Sequence, residues 1–421
     1  MKVLLLNTND SGGGAAIGAV RLTNALNKAG INATLGVVNK ESNNPYCENL
    51  MKKGIFFKRV FFAVLEKILF SFSKTTNPIL HSLNWYSKID IEKINNSDCD
   101  IVHLHWINGN MISICDIAKI TKPIVWTMHD SWVCCGAEHH PNILENDIRY
   151  TKEYTRENKP ESTKGLDICR WVYKRKEKYF ANMNKLQFIA PSNWECSILK
   201  KSKLFSDNKC TVIHNLIDRN IFKSLDNVDE IKRKIGLSLD KKIIGFGAAY
   251  DVDNPKSLKG GKYLLEALKK LPNPNEYQFL VFGPANEKLA KDLGIETVFM
   301  GYISNPMTMA KLYNVCDVFV CPSIIENLPY TCLESICCGT PVTAFNTGGI
   351  PDVIEHQYNG YLAKSFDIDD LTNGILYVLE NKIELSKNAL SKAKRDFDWQ
   401  TLIENHIEVY ENLLVEKQDT K

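Results

Sequence analysis

The 421-residue sequence predicts an α/β protein with two domains, each built around a parallel sheet. Short apolar runs alternate with longer helical segments along the chain, which is the pattern of βαβ units. The length exceeds the roughly 250–300 residues at which a single hydrophobic core stops growing, so a second domain is expected. Strands are expected at Lys2–Asn7, Ile31–Val38, Ile101–His105, Ile124–Thr127, Phe188–Ala190, Ile243–Gly247, Gln278–Phe282 and Val318–Cys321.

The charges are distributed unevenly over a composition that is otherwise typical of a soluble globular protein, with 44% hydrophobic and 24% charged residues. Residues 1–220 carry 30 Lys and Arg against 21 Asp and Glu, a net charge of +9, whereas residues 221–421 carry 22 against 28, a net charge of −6. A basic first half indicates an anionic partner. Charge alone leaves nucleic acid and an anionic membrane open, but no RNA- or DNA-binding motif occurs, which favours the membrane.

The thirteen cysteines do not form a recognisable metal or redox motif. They include adjacent pairs at 134/135 and 337/338, but no C-x-x-C and no zinc spacing occurs. The N-terminal MKVLLLNTND is a short strand, too short for the apolar region of a signal peptide. We therefore expect reduced thiols in a cytoplasmic protein.

Residues 51–74 predict a basic amphipathic helix. Apolar residues recur at helical spacing, and the acidic Glu66 and the basic Lys67 interrupt the run, so it does not span a bilayer. Two interpretations stay open: the helix lies in the interface of an anionic membrane, or it packs on its own domain with a solvated basic face. The basic residues are Lys52, Lys53, Lys58, Arg59, Lys67 and Lys74.

The first strand runs into a glycine-rich loop. Gly12, Gly13 and Gly14 permit close approach of the backbone to a ligand, although a tight turn alone explains them equally well. Ile17 stands where the third glycine of a dinucleotide-binding G-x-G-x-x-G would be. This break argues against an NAD-dependent dehydrogenase.

Histidines follow two short apolar strands, in DIVHLHWINGN and PIVWTMHDSWVCCGAEHH. His105, His129 and Asp130 are ligand-binding candidates because open α/β sheets bind ligands at the carboxyl ends of their strands. His103 and His105 alternate, so both are expected to face the same way, and His103 is the better candidate for a core histidine. His139 and His140 are expected as solvated loop residues, and no metal site is predicted.

Glu326 and Glu334 bracket the segment PSIIENLPYTCLESICCGTPV. Pro329 suits the first turn of a helix, which places Glu326 in the loop before the helix and Glu334 inside it. Carboxylates accept hydrogen bonds from sugar hydroxyls, and a helix N-terminus favours phosphate. The pattern therefore fits a nucleotide sugar, whereas two surface glutamates on a βα unit are the alternative.

This segment, continued by TAFNTGGIPDVI, resembles the E-x7-E signature of glycosyltransferase family 4, retaining enzymes of GT-B fold. The Gly-rich first turn, HLHW, TMHD, the crossing HNLID and the turn SLKGG extend the resemblance over nearly the whole chain. WTMHDSW looks especially like bacterial enzymes of capsule, O-antigen or exopolysaccharide biosynthesis. The resemblance implies two doubly wound Rossmann-like domains facing each other across a cleft: an acceptor-side domain, residues 1–215, onto which helix 397–421 packs back, and a donor domain, residues 216–396.

The resemblance also implies site residues. Glu334 resembles the acid that accepts the ribose hydroxyls, and Glu326 the acid that faces the donor sugar. Lys259 resembles the lysine that pairs with the diphosphate, and His129 a histidine beside the reacting carbon. Backbone groups around the helix start and the glycine loop are implied to bind the rest of the donor, namely Asn327, Leu328, Pro329, Gly12, Gly13 and Gly14.

One departure from the family concerns the second cation on the diphosphate. Many relatives carry an Arg several residues before the lysine, whereas this stretch reads GAAYDVDNPKS, with Ala248 and Ala249 near the expected place. Lys256 is a candidate replacement, but an ammonium lacks the two-pronged geometry of a guanidinium.

The expected activity is a metal-independent transfer of a hexose from a UDP- or GDP-sugar to a glycan or lipid-linked saccharide. No cofactor beyond the nucleotide-sugar co-substrate is implied, no nucleic acid partner is expected, and the protein is expected to be peripheral on the inner face of the plasma membrane. The alternatives are a non-catalytic nucleotide-sugar or glycan binder and a nucleotide-sugar epimerase on the same fold.

Overall fold

The computed structural model describes residues 1–75, 77–181, 183, 185–247, 257–283 and 293–415. Two compact units are formed. The first comprises Met1–His214 together with a C-terminal segment that begins at Gln400, and the second comprises Asn215–Trp399. The expected strands are all present, with ends that differ by a few residues from those predicted.

The first unit contains a parallel sheet of seven strands among its described residues, in the order β3-β2-β1-β5-β6-β8-β9. The order reverses on either side of β1, as in a doubly wound sheet. A separate antiparallel pair is formed by β4 and β7. The strands are β1 Lys2–Asn9, β2 Asn32–Asn39, β3 Cys47–Asn49, β4 Ser73–Thr75, β5 Ile101–Leu104, β6 Ile124–Thr127, β7 Thr163–Gly165, β8 Leu186–Ala190 and β9 Cys210–Val212.

Helices connect these strands and cover the sheet. They are α1 Gly14–Lys28, α2 Phe56–Phe72, α3 Ile91–Asn95, α4 Ile114–Ile117, α5 Ile168–Phe180 and α6 Asn193–Lys201, with 3-10 turns at Ser131–Val133, Ile143–Glu145 and Arg149–Thr151. Ser113, Asp167 and Ser192 cap α4, α5 and α6 by accepting a hydrogen bond from a backbone N–H of the first turn.

The second unit contains a parallel sheet of six described strands, in the order β12-β11-β10-β13-β14-β15. Its strands are β10 Lys242–Gly247, β11 Tyr277–Phe282, β12 Glu296–Phe299, β13 Val318–Cys321, β14 Val342–Phe345 and β15 Gly360–Ala363. Its helices are α7 Val228–Lys234, α8 Gly261–Lys269, α9 Pro306–Val315, α10 Tyr330–Cys337, α11 Ile350–Val353, α12 Ile368–Glu380 and α13 Lys382–Asp396, with a 3-10 turn at Pro274–Glu276.

Both faces of the second sheet are buried. Ile243 and Phe319 belong to one hydrophobic cluster, whereas their neighbours Ile244 and Val320 belong to another. Successive residues of a strand point to opposite faces, so the two clusters lie on the two sides of the sheet. Burial on both sides explains why these strands are continuous apolar runs.

The last helix, α14 Trp399–Val415, contributes to the core of the first unit. Its Tyr410 is fully buried and its hydroxyl lies 2.7 Å from Nδ1 of His103 on β5. The other ring nitrogen of His103 lies 2.7 Å from the Thr127 hydroxyl on β6. His103 is therefore a core residue that connects two strands and the C-terminal helix, which confirms the expectation that it is a core histidine.

Helix α2 confirms the helix expected within 51–74 and attaches to the first unit along one side only. Phe62 stacks on Tyr86 with ring centroids 4.7 Å apart, and Glu66 accepts a hydrogen bond from Asn110 at 2.9 Å. None of its residues is fully buried. Its exposed large apolar side chains are Phe56, Phe57, Val60, Phe61, Val64, Ile68 and Phe72. Among the described residues, we find no helix with the length and hydropathy needed to cross a bilayer.

Candidate active site

The E-x7-E segment folds as the sequence predicts. Strand β13 ends at Cys321, Glu326 lies in the following loop, and Glu334 lies within α10. Pro329 is the residue immediately before the helix, with φ −69° and ψ 120°, rather than within its first turn. Glu326 therefore lies at the carboxyl edge of the second sheet, which is the edge where open α/β sheets bind ligands.

Lys259 and Glu326 form an ion pair, with Nζ 2.6 Å from Oε1. The turn that carries Lys259 is anchored because the Ile324 N–H donates to the Leu258 carbonyl at 2.8 Å. Gly260 has φ 70°, and a Cβ there would lie 1.8 Å from the Pro322 carbonyl oxygen, so only glycine allows this approach. Burial opposes the positive charge, but Glu326 outweighs it and raises the pKa of Lys259.

A second glycine turn supports Glu326 from behind. The Gly349 N–H donates to the Glu326 carbonyl at 2.9 Å, and the Thr347 hydroxyl donates to the Ile324 carbonyl at 2.9 Å. Gly348 has φ 57°, and a Cβ there would lie 2.1 Å from the Glu326 carbonyl oxygen. The backbone of Glu326 is thus fixed by a turn from a different βα unit.

Glu334 is buried, with only 7% of its surface exposed. Its Oε2 accepts a hydrogen bond from the Tyr313 hydroxyl at 3.2 Å, and Tyr313 is itself fully buried. Asn327 and Leu328 are also buried, and the Leu328 carbonyl accepts a hydrogen bond from Asn215 at 3.2 Å. The structure therefore brings Lys259, Glu326 and Glu334 to one edge of the second unit. Lys256, Ala248 and Ala249 lie outside the described residues.

In the first unit, His105 and His129 meet at the ends of β5 and β6. His105 Nδ1 lies 2.8 Å from His129 Nε2, and the His105 ring lies 4.3 Å from that of His103, so the two alternating histidines face the same side. Burial lowers the pKa of His105 well below its ordinary value. Burial also lowers the pKa of His129 to about 4, although the charge of Asp130 acts to raise it. Both imidazoles are therefore neutral near neutral pH.

Asp130 organises the polar groups beside His129. Its Oδ2 lies 2.6 Å from Nδ1 of His139 and accepts a hydrogen bond from the Trp106 indole at 2.9 Å, while Oδ1 accepts from the Trp132 N–H. His139 Nε2 in turn lies 2.8 Å from the Ser82 hydroxyl. Burial raises the pKa of Asp130, but His139 outweighs it, and the pKa falls to about 2.

The prediction that His139 is a solvated loop residue was wrong. Only 3% of its surface is exposed, because the loop folds back and hydrogen-bonds the ring to Asp130 and Ser82. Trp106 was also missed as a site residue. The one available signal was its position in HLHW, directly after His105 at a strand end.

The glycine loop of the first unit forms the turn between β1 and α1. Gly12 and Gly13 have φ of 68° and 85°, and α1 begins at Gly14. A Cβ on Gly13 would meet no atom within 4 Å, so the conformation alone requires glycine there. Ile17, which replaces the third glycine of a dinucleotide motif, is 38% exposed in the first turn of α1.

Among the described residues, one group of three side chains has the composition and spacing of metal ligands. Atoms of His81, Glu138 and Cys169 lie within 4.8 Å of one another. Glu138 already accepts a hydrogen bond from Tyr154, and Arg149 lowers its pKa although burial opposes this. Its Oε2, in contrast, has no hydrogen-bond partner among the described residues.

Two family models match the chain. The model described as Glycosyl transferases group 1 matches residues 227–396, and the model described as Glycosyltransferase Family 4 matches residues 12–220. The first match contains Lys259, Glu326 and Glu334, and the second contains His129 and the glycine loop. The two matches thus account for separate halves of the chain.

Curated relatives are similar over part of their length. An uncharacterized glycosyltransferase of Methanocaldococcus jannaschii is 26% identical over 238 residues, which cover 51% of this chain and 60% of that protein. The UDP-Gal:alpha-D-GlcNAc-diphosphoundecaprenol alpha-1,3-galactosyltransferase of Escherichia coli is 26% identical over 273 residues, which cover 61% and 67%. The first of these relatives is thus matched over less than two thirds of its length.

A solved structure shares the fold along almost the entire chain. HepE of Anabaena, determined in complex with UDP and glucose, superposes with a TM-score of 0.66 and 16% identity over 97% of this chain and 99% of that one. At this identity the likeness establishes the fold, and the two parallel-sheet units agree with the GT-B architecture. The sheets, the two family models and these relatives together show that the chain belongs to the family 4 glycosyltransferases of GT-B fold.

Proposed function

We propose that the protein transfers a hexose, with retention of anomeric configuration and without a metal ion, from a UDP- or GDP-sugar to a glycan or lipid-linked saccharide in cell-surface polysaccharide biosynthesis. The observation that carries this proposal is the Lys259–Glu326 ion pair, 2.6 Å long, beside the start of α10, with the buried Glu334 inside that helix. Glu334 suits the ribose of a nucleotide-sugar donor, Lys259 its diphosphate and Glu326 its sugar.

The donor nucleotide is assigned to the second unit. Glu334 already accepts a hydrogen bond from the Tyr313 hydroxyl, and its carboxylate is proposed to accept two more from the ribose hydroxyls of the donor. HepE was determined with UDP and glucose, and the Escherichia coli relative is named for UDP-Gal, which supports a uridine nucleotide as the first donor to try.

Lys259 supplies the positive charge for the leaving group. Cleavage of the anomeric C–O bond leaves an oxocarbenium-like sugar and a diphosphate that gains negative charge. In the free protein the lysine is held and kept protonated by Glu326. A donor phosphate shares or takes over this ammonium, so that Lys259 stabilises the transition state more than the ground state.

Glu326 orients the sugar and stabilises its developing positive charge. With retention, the acceptor attacks the face from which the nucleotide leaves, and the departing phosphate accepts the acceptor proton. The backbone of Glu326, fixed by the Gly348–Gly349 turn, holds the carboxylate in place for this purpose.

In the first unit, His129 is proposed to contact the donor sugar, and His105 and Asp130 to line the acceptor side. A pKa of about 4 makes His129 a neutral imidazole near neutral pH, suited to hydrogen bonding with hydroxyls rather than to charge stabilisation. The carboxylate of Asp130 stays ionised and fixes the position of His139.

The protein is proposed to be cytoplasmic and to bind an anionic membrane through α2. The helix exposes Phe56, Phe57 and Phe61, each more than 60% accessible. Basic residues lie along the same segment, including Lys53 and Lys58. An apolar face flanked by cations is the arrangement of helices that lie in the interfacial region of a bilayer.

The first experiment is saturation-transfer NMR with a panel of UDP-, GDP-, ADP- and dTDP-sugars on the wild type, on Glu334→Ala and on Glu355→Ala as a control acid of the same unit. We expect one nucleotide class to bind to the wild type and the control, and to be lost with Glu334→Ala. Absence of binding at millimolar ligand contradicts the donor assignment and favours a binding protein for another ligand.

Two further measurements separate the reaction from its alternatives. Incubation of the bound donor without acceptor should give no isomer, since an isomer indicates an epimerase. Transfer should continue in EDTA, because Lys259 replaces the metal as the counter-charge of the diphosphate. Loss of turnover in EDTA that added Mg²⁺ restores contradicts the metal-free proposal.

A further inference from the structure

A large apolar cavity lies in the first unit, away from the histidines at the strand ends. It has a volume of about 680 Å³, within the roughly 300–1,000 Å³ of small-molecule sites. Leu69 of α2 lines one side, Leu83 and Trp85 another, and Ile168 and Trp171 of α5 a third. The proposed transfer reaction uses none of these residues.

Two buried N–H groups at this cavity have no hydrogen-bond partner among the described residues. They are the indole Nε1 of Trp85 and the guanidinium Nε of Arg170, both at residues that line the cavity. A buried donor left unpaired costs about 1–3 kcal/mol, but both nitrogen atoms lie beneath the cavity surface, so a ligand reaches them only if a lining side chain moves.

The lining also carries an excess of positive charge. Arg156, Lys159 and Arg170 contribute three cations, against the single carboxylate of Asp167. Asp167 is already engaged, because it accepts hydrogen bonds from the Arg149 guanidinium and from the Arg170 backbone N–H. The pKa of the exposed Glu157 is lowered by its hydrogen bonds and also by the charges of Arg170 and Arg156, so this carboxylate balances part of the excess, and the remainder favours an anion.

The cavity adjoins the exposed apolar surface of α2. The Leu166 N–H donates to the Phe72 carbonyl at 2.9 Å, so the end of α2 is joined to the segment that lines the cavity. Phe72, Leu166 and Trp171 are 61%, 49% and 44% exposed. Apolar surface thus continues from the helix proposed to meet the membrane to the cavity.

We propose that this cavity binds a lipid whose apolar chain lies among Leu69, Trp85 and Trp171 and whose phosphate or diphosphate group is held by Arg156, Lys159 and Arg170. The site is argued from the cavity alone and does not depend on the transfer reaction. Where the proposed function also holds, it identifies the part of the protein that takes the lipid of a lipid-linked acceptor.

The test is isothermal titration calorimetry of the full chain, without any nucleotide sugar, using farnesyl diphosphate, farnesol and inorganic diphosphate. Leu69→Trp fills the cavity, and Val60→Trp adds the same indole to an exposed position of α2. We expect Leu69→Trp to weaken farnesyl diphosphate binding at least about tenfold and Val60→Trp to leave it unchanged.

The charged part of the site has its own pair of variants. Arg156→Gln with Lys159→Gln should weaken farnesyl diphosphate at least about tenfold and leave farnesol unchanged, because two charge-assisted hydrogen bonds are lost. Lys67→Gln with Lys74→Gln, which removes two charges outside the lining, should have no effect. Circular dichroism and melting temperatures confirm that each variant is folded.

The proposal fails if farnesyl diphosphate does not bind, if it binds no better than farnesol or inorganic diphosphate, or if Leu69→Trp and Val60→Trp behave alike. Competition with dihexanoyl-phosphatidylglycerol identifies the source of the ligand. Equal affinity for both supports a site for bulk membrane lipid, and a preference for farnesyl diphosphate supports a polyprenyl carrier. Because no donor is present, these outcomes are independent of the transfer assay.

Discussion

The site residues of the two units differ in electrostatic character. The second unit presents an ion pair between Lys259 and Glu326, together with the carboxyl group of Glu334, which accepts a hydrogen bond from Tyr313. The first unit places the neutral imidazoles of His105 and His129 beside the ionised carboxylate of Asp130, and it holds eight of the nine histidines of the chain, all except His356. Under the proposed function, Lys259 of the second unit stabilises the charge of the leaving diphosphate, and the imidazoles of the first unit hydrogen-bond to sugar hydroxyls.

The largest expected effect is on catalysis by the second unit. Glu326→Gln and Lys259→Ala should each raise the activation barrier by about 2–4 kcal/mol, a fall in kcat of about 30- to 900-fold, because each removes one preorganised charge. Steady-state kinetics with the identified donor measure this. Glu355→Gln breaks another ion pair of the same unit, with Lys392, and should leave kcat unchanged. A fall below about threefold in the site variants would remove their assigned roles.

The second-largest expected effect is on membrane binding, which charge reversal in the first unit should weaken and charge reversal in the second unit should not. Reversal of Lys53, Lys58 and Arg59 to Glu should weaken co-sedimentation with phosphatidylglycerol liposomes about a hundredfold, since each basic residue near the surface contributes about 1 kcal/mol. The matched control reverses three exposed lysines of the acidic second unit, Lys234, Lys269 and Lys270. Equal losses in the two triple variants would mean that net charge, not α2, controls binding.

The glycine turn behind Glu326 should matter for both stability and donor binding. Gly348→Ala should destabilise the second unit by about 1–3 kcal/mol, because alanine meets both the positive φ and the Glu326 carbonyl. Gly301→Ala has a similar φ of 64° but no neighbour within 4 Å, so it isolates the backbone strain from the clash. Chemical denaturation gives the two free energies, and similar losses would show that the contact with Glu326 is unimportant.

A smaller effect should appear in the first unit on mild acidification. The pKa values of His129 and His406 are lowered by burial to about 4, so the folded state binds fewer protons than the unfolded state between pH 6.5 and 4. The contribution of these two histidines to the free energy of unfolding is therefore fully present above pH 6.5 and is lost as the pH falls towards 4. For the well-buried His406, the loss amounts to about 1 kcal/mol at pH 5.5.

Hydrogen exchange followed by mass spectrometry, corrected for the intrinsic rates, compares the two units at pH 7 and pH 5.5. Peptides of the first unit should lose protection, while those around the exposed His356 in the second unit should not. Equal changes in both units would contradict a histidine origin.

The difference between the units also explains what the sequence predicts. Glu326, Glu334 and Lys259 were recognisable because short local motifs place each of them on a strand end, a helix or a glycine turn. His139 was not, because its burial depends on Asp130 and on Ser82, which is far away in the sequence. Lys176 likewise belongs to a basic helix in sequence, yet it is fully buried and donates to the carbonyls of Cys135 and Gly136.

The apolar cavity was equally beyond prediction from the sequence. Its lining comes from α2, from the residues around Trp85 and from the segment that leads into α5, and the pairing of β4 with β7 joins the end of α2 to that segment. Strand pairing between distant three-residue segments has no local signal in the sequence. The strand pattern, in contrast, is local, and it predicted both parallel sheets.

The hydrogen bond between His103 and Tyr410 has a consequence for synthesis of the chain. The first unit includes residues from both ends of the sequence, so its buried His103 acquires this partner only after the ribosome has translated the helix Trp399–Val415. The second unit, which is contiguous, can form earlier. Until that helix is translated, the N-terminal half is therefore an incompletely folded intermediate with exposed apolar surface. Intermediates of this kind are expected to bind chaperones.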